Sequence, residues 1–169
     1  MAAQVVAVIA LGLLGSGGVA KVVDPDPTSG ALEAARLPSS RLLSRLLGTA
    51  EIVAAAVGLS VGGTMALPAV LLYVGFTVFT LTAVRRALPI QSCGCFGRVD
   101  TPPSWIHVGY NGVATLALAM LVVNQESPIP SAASTSETLL FVAFAALGVY
   151  LSYLLLTRLP QTLSLAKSS

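Results

Sequence analysis

Two sulfur atoms offer the most distinctive chemistry in this chain. Cys93 and Cys95 are its only cysteines, within the stretch LPIQSCGCFGRVDTPP at residues 88–103. With one residue between them they can close only a very small ring. Favoured Cα separations for a disulfide are about 4.4–6.8 Å, and an extended i, i+2 pair lies near the upper end. Closure therefore needs backbone contortion, which Gly94 permits because it has no Cβ. A strained disulfide has a higher reduction potential and gives up its oxidising equivalents readily. Arg85, Arg86 and Arg98 flank the pair and a helix start follows it, and both features favour the nucleophilic thiolate. A reversible redox pair fits these features best. Three other readings compete: inert thiols of the kind often found buried, a static loop closure, and a metal site. The metal site lacks ligands, because Cys93, Cys95 and His107 make at most three, without the C-x-x-C spacing of structural zinc sites.

Four more polar side chains fall within or beside apolar runs. Glu51 lies about two turns into one of them, where a carboxylate costs several kcal/mol unless it is neutral or paired. Lys21 ends the preceding run on the same side of the membrane, so the two can meet across adjacent helices. Two roles stand side by side for that pair. It can fix helix register, or Glu51 can accept protons for nearby thiol chemistry, since two protons accompany each two-electron exchange. His107, the single histidine, sits in the first turn of a later run between Trp105 and Tyr110, which are candidates for an aromatic belt. A solvated imidazole is expected there, ahead of acid–base work. Asn111, one turn on, reads as an interhelical hydrogen-bond partner.

The elements that carry these groups must be membrane helices. Hydrophobic residues make up 55% of the 169 residues and charged residues 9%, with a mean hydropathy of +0.86. Soluble domains carry about 25% charged residues, and nine basic plus seven acidic side chains cannot solvate a surface of this size. A net charge of +2, without basic–aromatic clusters, argues against nucleic acid. A bilayer core of about 30 Å takes roughly 20 helical residues, and five runs qualify: residues 4–23, 43–61, 65–88, 104–123 and 137–159. The first lacks the basic n-region of a signal peptide and reads as a retained span. DPDP at residues 24–27 ends it. Gly62-Gly63 makes a tight hairpin between the second and third, with Pro68 tolerated in the first turn of the latter. Ser134 and Glu137 have capping-box spacing at the start of the fifth. Gly12 and Ser16, with Gly15, Gly17 and Gly18, offer a face for close packing against a neighbouring helix. The connection GALEAARLPSSRLLSRLL predicts an interfacial amphipathic turn. The expected fold is all-α: a polytopic helical bundle of about five spans, a four-helix core plus one, in a single integral membrane domain over residues 1–169.

With five spans, all nine Lys and Arg fall on one face and none on the other. The positive-inside rule then places the N-terminus outside, the C-terminus in the cytoplasm, and the cysteine pair on the cytoplasmic side.

Several of these features resemble the methylamine-utilisation protein MauE family, part of a wider MauE/DoxX-like group of redox-associated membrane proteins. The matching stretches are AKVVDPDP after the first span, LEAARLP, Glu51 in the second span, and CGCFG followed by a helix with Asn111 near its start. The resemblance implies help in maturing a partner enzyme by disulfide formation or transfer, often alongside a thioredoxin-like protein. It marks Cys93 and Cys95 as the redox pair and Lys21 and Glu51 as intramembrane polar positions. One implication conflicts with the charge count: partners of that family mature outside the cytoplasm. Three function classes follow. The leading one is thiol–disulfide exchange in the cell membrane, with a quinone as a conceivable terminal acceptor that no motif specifies. The second is a non-catalytic membrane subunit or scaffold of a larger complex. A small-solute transporter ranks third, because Glu51 and Lys21 are the only charges within the spans besides those in the outer turns of the later ones, and no internal repeat is evident.

Overall fold

The computed structural model describes residues 2–90, 101–129 and 134–158. Among them the fold is all-helical, and five helices are long and apolar enough to cross a membrane. Helix α1 (Ala2–Val23) is followed by a short α2 (Asp26–Ala34), then α3 (Arg41–Ser60), a 3-10 turn (Gly63–Ala66), α4 (Leu67–Arg85), α5 (Trp105–Asn124) and α6 (Thr135–Thr157). Helices suit lipid because each satisfies its own backbone hydrogen bonds.

The ends follow local chemistry. Pro68 sits in the first turn of α4, where its missing N–H costs nothing. Ser40 caps α3, its Oγ accepting from Leu43 N at 3.0 Å. At α6, Ser134 and Glu137 form the reciprocal capping box expected from their spacing. The hairpin between α3 and α4 is as tight as expected. Gly62 (φ +70°) and Gly63 (φ +51°) both occupy conformations that favour glycine, and Gly63 N donates to Glu126 O at 3.0 Å.

One expectation is corrected. The connection after α1 is not a turn, because its first half forms α2, nine residues long. Pro27 is compatible with a first helical turn, so DPDP ends one helix and starts the next. Ala31 of α2 is buried with Ala83 of α4 and Ile90 beyond it, against Phe79 and Leu88. Arg41 grips Asp26 with two hydrogen bonds, 2.6 and 2.9 Å, but both groups are exposed, which keeps the contribution at about 0–1 kcal/mol.

The core has four helices plus one. Ala7, Ala10, Leu11 and Leu14 of α1 cluster with Ala54 and Ala55 of α3, Ala69 and Tyr73 of α4, and Ala114 to Leu121 of α5. Helix α6 lies outside this cluster, where Val149 rests on Gly12 and Gly148 on Ile9. Lipid is as apolar as leucine, so close approach of small residues, not water exclusion, holds such helices together. The glycine face of α1 is divided between two neighbours. Gly12 serves α6, while Gly15 and Gly18 serve α3 through Ala55 and Gly48. Ser16 belongs to neither contact, since it is exposed and its Oγ donates to Leu13 O of its own helix.

Candidate functional site

The tightest crossing in the bundle is between Gly18 of α1 and Gly48 of α3. A Cβ on either glycine would lie 2.6 Å from the other's carbonyl oxygen, so a side chain at either position would force the two helices apart. The facing pairs Leu11 with Gly58, Gly15 with Ala55 and Gly18 with Gly48 run in opposite order along the two helices, which are therefore antiparallel. Lys21 and Glu51 each lie three residues beyond the crossing, toward the C-terminus of their own helix. Helical Cα–Cβ bonds tilt toward the N-terminus, so both side chains lean back to the crossing and meet. Lys21 Nζ donates to Glu51 Oε2 at 2.9 Å, with 6% and 1% of the two side chains exposed. The pairing anticipated across adjacent helices is present. α3 begins at Arg41, which puts Glu51 about 15 Å along it at about 1.5 Å per residue.

Around this pair is a cavity of about 30 Å³, enough for one or two waters. Its polar lining is Lys21, Glu51, Tyr73, His107, Tyr110 and Asn111. All four supporting residues singled out in the sequence thus converge on one space. The expectation of a solvated His107 is overturned, because the residue is 2% exposed. Trp105, by contrast, is 61% exposed at the start of α5. Two helical residues further on is a rotation of about 200°, which turns the imidazole from the lipid side to the bundle interior. Ser104 Oγ lies 2.9 Å from His107 Nδ1 and holds the ring at the helix start. Either ring nitrogen can carry the proton in that arrangement. The other nitrogen, Nε2, is buried without a partner, and so is Glu51 Oε1. A buried polar atom without a hydrogen bond costs about 1–3 kcal/mol, so these two atoms would be completed by water held in the cavity.

Aromatic residues complete the walls. The Lys21 ammonium sits 5.6 Å from the centroid of the Phe76 ring, within cation–π range. Phe76 meets Tyr73 edge-to-face at 6.1 Å, and Tyr73 Oη donates to Ala10 O at 2.7 Å. Tyr110 lines the cavity and packs against the core, so it is not a simple belt residue. Sequence reasoning passed over Tyr73 and Phe76. The available signal was Tyr73 itself, since a phenol within a span needs an internal partner.

Cys93 and Cys95, with Gly94, Phe96 and Arg98, lie outside the described residues. The connection that carries them leaves from Ile90 and returns at Thr101, whose Oγ1 donates to Leu156 O at the end of α6. Lys21 near the end of α1, His107 at the start of α5 and Leu156 near the end of α6 all line the cavity. The cavity therefore belongs to the end of the bundle from which that connection springs. Among the described residues, no three His, Cys, Asp or Glu side chains gather to hold a metal ion.

The family model described as "Methylamine utilisation protein MauE" matches residues 1–125. That range takes in α1 to α5, hence the entire four-helix core and every polar residue of the cavity lining, and stops short of α6. No curated protein and no solved structure matches the chain.

Proposed function

The chain belongs to the MauE family, multi-pass membrane proteins involved in methylamine utilisation, and from that footing we propose that it exchanges disulfides with a partner protein through Cys93 and Cys95. In the forward step a partner thiolate attacks one sulfur of the Cys93–Cys95 disulfide and forms a mixed disulfide. The partner's second thiol then displaces it. The partner gains an S–S bond, Cys93 and Cys95 become thiols, and two electrons and two protons have passed from partner to pair. A thioredoxin-like protein is the kind of partner that the family resemblance implies. The one-sided distribution of Lys and Arg supports an N-terminus outside, a C-terminus in the cytoplasm and exchange at the cytoplasmic face of the cell membrane.

The observation that carries this reading is the pairing of the chain's only two thiols across a single glycine. The acid–base cavity at the same end of the bundle supports it, because thiol exchange needs groups that take up and return protons. Glu51 and His107 fill that part, with Lys21 compensating the carboxylate.

An alkylation gel shift before and after dithiothreitol, combined with Cys93→Ser and Cys95→Ser, tests the proposal. The wild-type chain is expected to gain two adducts only after reduction, and each serine variant to lose its effect on the partner's disulfides. A double serine variant that still matures its partner would reduce the protein to a scaffold. Glu51→Gln is expected to slow exchange at least tenfold without blocking membrane insertion.

A further inference from the structure

A furrow with basic residues at one end runs along α4. Where α2 and α4 stop, a hollow of about 620 Å³ is lined by Arg36, Leu37, Val78, Thr82, Arg86 and Leu88. Through Leu37, Gly75 and Phe79 it continues into a cleft of about 280 Å³ between α2, α3 and α4, walled by Leu47, Leu71, Leu72 and Phe76. From Arg86 to Leu71 the two spaces follow α4 for about 22 Å, at about 1.5 Å per residue. One leaflet, half of a bilayer of about 40–45 Å, has the same depth. Both helices end alike. Arg36 (φ +58°) and Ala87 (φ +45°) take the left-handed conformation usually given to glycine after a helix. The next residues then turn back, Leu37 N donating to Leu32 O at 2.9 Å and Leu88 N to Ala83 O at 3.1 Å. Neither Arg36 nor Arg86 is held by a carboxylate among the described residues. Asp26 is taken by Arg41 and Glu51 by Lys21, while Glu33, exposed on α2, does not line the hollow.

We propose that this furrow is a site for an anionic phospholipid, its phosphate taken by Arg36 and Arg86 and one acyl chain laid along α4 toward Leu71. Charge selects the headgroup. Each guanidinium offers five N–H donors in a planar fork that matches phosphate. The C-terminal dipoles of α2 and α4 supply roughly half an elementary charge each, so about one positive charge stays uncompensated at the hollow. A zwitterionic lipid would bring its own cation to that point, and an anionic one does not; basic pockets between membrane helices hold anionic headgroups for this reason. Depth selects the tail. At the far end Lys21 and Thr80 are spent on Glu51 and on the Phe76 carbonyl, and the remaining walls are largely aliphatic and aromatic. A soluble anion would leave that end unfilled, whereas a hydrocarbon chain fits it. The continuity of the two spaces, which a compact ligand would not use, is what a headgroup with a chain attached requires. The site also gives α2 an anchor. That helix buries only Thr28 and Ala31 of its own, and a lipid joining Arg36 to α4 fastens its end to the bundle. None of this depends on the cysteine pair.

Two probes test headgroup and tail separately. Phosphatidylglycerol and phosphatidylcholine with matched chains are added to the delipidated full chain in dodecyl maltoside, and retained lipid is counted by native mass spectrometry. A phosphatidylglycerol with a diazirine midway along one chain is crosslinked to the protein in phosphatidylcholine nanodiscs. An arginine beside an anionic headgroup is worth roughly a factor of five, so phosphatidylglycerol is expected to be retained at least about fivefold over phosphatidylcholine. That preference should fall below about twofold in Arg36→Gln/Arg86→Gln. Both arginines are exposed, so this variant is expected to keep wild-type helix content. It should persist in Arg45→Gln, which removes an exposed charge outside the furrow. Crosslinks are expected on α4 between Leu71 and Phe79. They should fall several-fold in Gly75→Leu, because Gly75 lines both spaces and a Cβ there meets nothing within 4 Å. Equal retention of the two lipids would overturn the site, as would a loss in Arg45→Gln as large as in the double variant, or crosslinks on α5 or α6 instead of α4. Glycerol phosphate retained as well as phosphatidylglycerol would overturn it too, leaving an anion site with no use for the furrow.

Discussion

Replacing Lys21 by methionine should be among the most damaging single changes in the bundle, and the geometry sets the size of the loss. Glu51 Oε2 takes its hydrogen bond from Lys21 at 2.9 Å, while Oε1 has no partner. Without Lys21 the buried carboxylate keeps neither that counter-charge nor that donor. Breaking a buried ion pair by removing one partner costs about 3–5 kcal/mol. A lone carboxylate within a span costs up to about 2.5–3.5 kcal/mol on insertion scales, the full value applying only at the centre. Glu51 can escape part of this by taking up a proton, so a loss of about 3 kcal/mol is expected. The double variant Lys21→Met/Glu51→Met removes both charges at similar volume and should recover to within about 1 kcal/mol of wild type, because neutral replacements of buried pairs are often harmless. The assay is unfolding in mixed micelles by sodium dodecyl sulfate titration, followed by circular dichroism and closed as a double-mutant cycle. A single variant within about 0.5 kcal/mol of wild type would refute the reasoning. So would a double variant as unstable as the sum of the two singles.

Gly48→Ala should separate α1 from α3 and cost about 1–3 kcal/mol by overpacking, since its Cβ would sit 2.6 Å from the Gly18 oxygen. Gly30→Ala in α2, with nothing within 4 Å, should instead gain about 0.5–1 kcal/mol from helix propensity in the same titration. Gly62→Ala places a Cβ against Pro128 Cδ and 2.7 Å from Glu126 O, at φ +70°; a loss of about 1–3 kcal/mol is expected, with Gly62→Ser no better. For orientation, a fluorescent protein fused after the last residue should glow and a periplasmic reporter fused there should stay silent; the reverse pattern would invert the assigned topology.

Much of the architecture was legible in the chain because lipid imposes a simple rule. Any span must be a run of about 20 apolar residues, and five such runs, their hairpin glycines and the Ser134–Glu137 cap can be read directly. The Lys21–Glu51 contact was legible for a related reason, since an isolated charge in a span must find its opposite. What escaped the reading depended on rotation about a helix axis. A window of mixed aromatic and polar residues around His107 does not say which one faces lipid, and Trp105 took that place. α2 was hidden because prolines at 25 and 27 look like breakers, although one of them suits a first helical turn. Tyr73 and Phe76 sat unnoticed in an apolar run, where only neighbours in space give them a role. Most of the cavity was therefore present in the sequence as separate polar residues, and what folding added was their convergence.

That convergence bears on the two roles set side by side for Glu51, register and proton transfer. They draw on different atoms of the same carboxylate. Oε2 is held by Lys21, and through it by the only approach between α1 and α3 close enough to need glycine on both helices. A slip of one residue along either helix would swing its side chain by about 100° and break both the crossing and the ion pair, so the pair and the glycines enforce one register together. Oε1 has no part in that and lies buried without a partner, as His107 Nε2 does, in the lining of the same small space. An ion pair needed only for register could be closed off on all sides by aliphatic packing, as Leu13 and Leu14 already close part of it. The bundle instead turns one carboxylate oxygen and one imidazole nitrogen away from any protein partner, in the lining of a water-sized void at the end where its two thiols are tethered. Water held in that void can complete both atoms, and the proton-transfer role proposed above predicts that Glu51→Gln slows exchange while leaving the α1–α3 register intact.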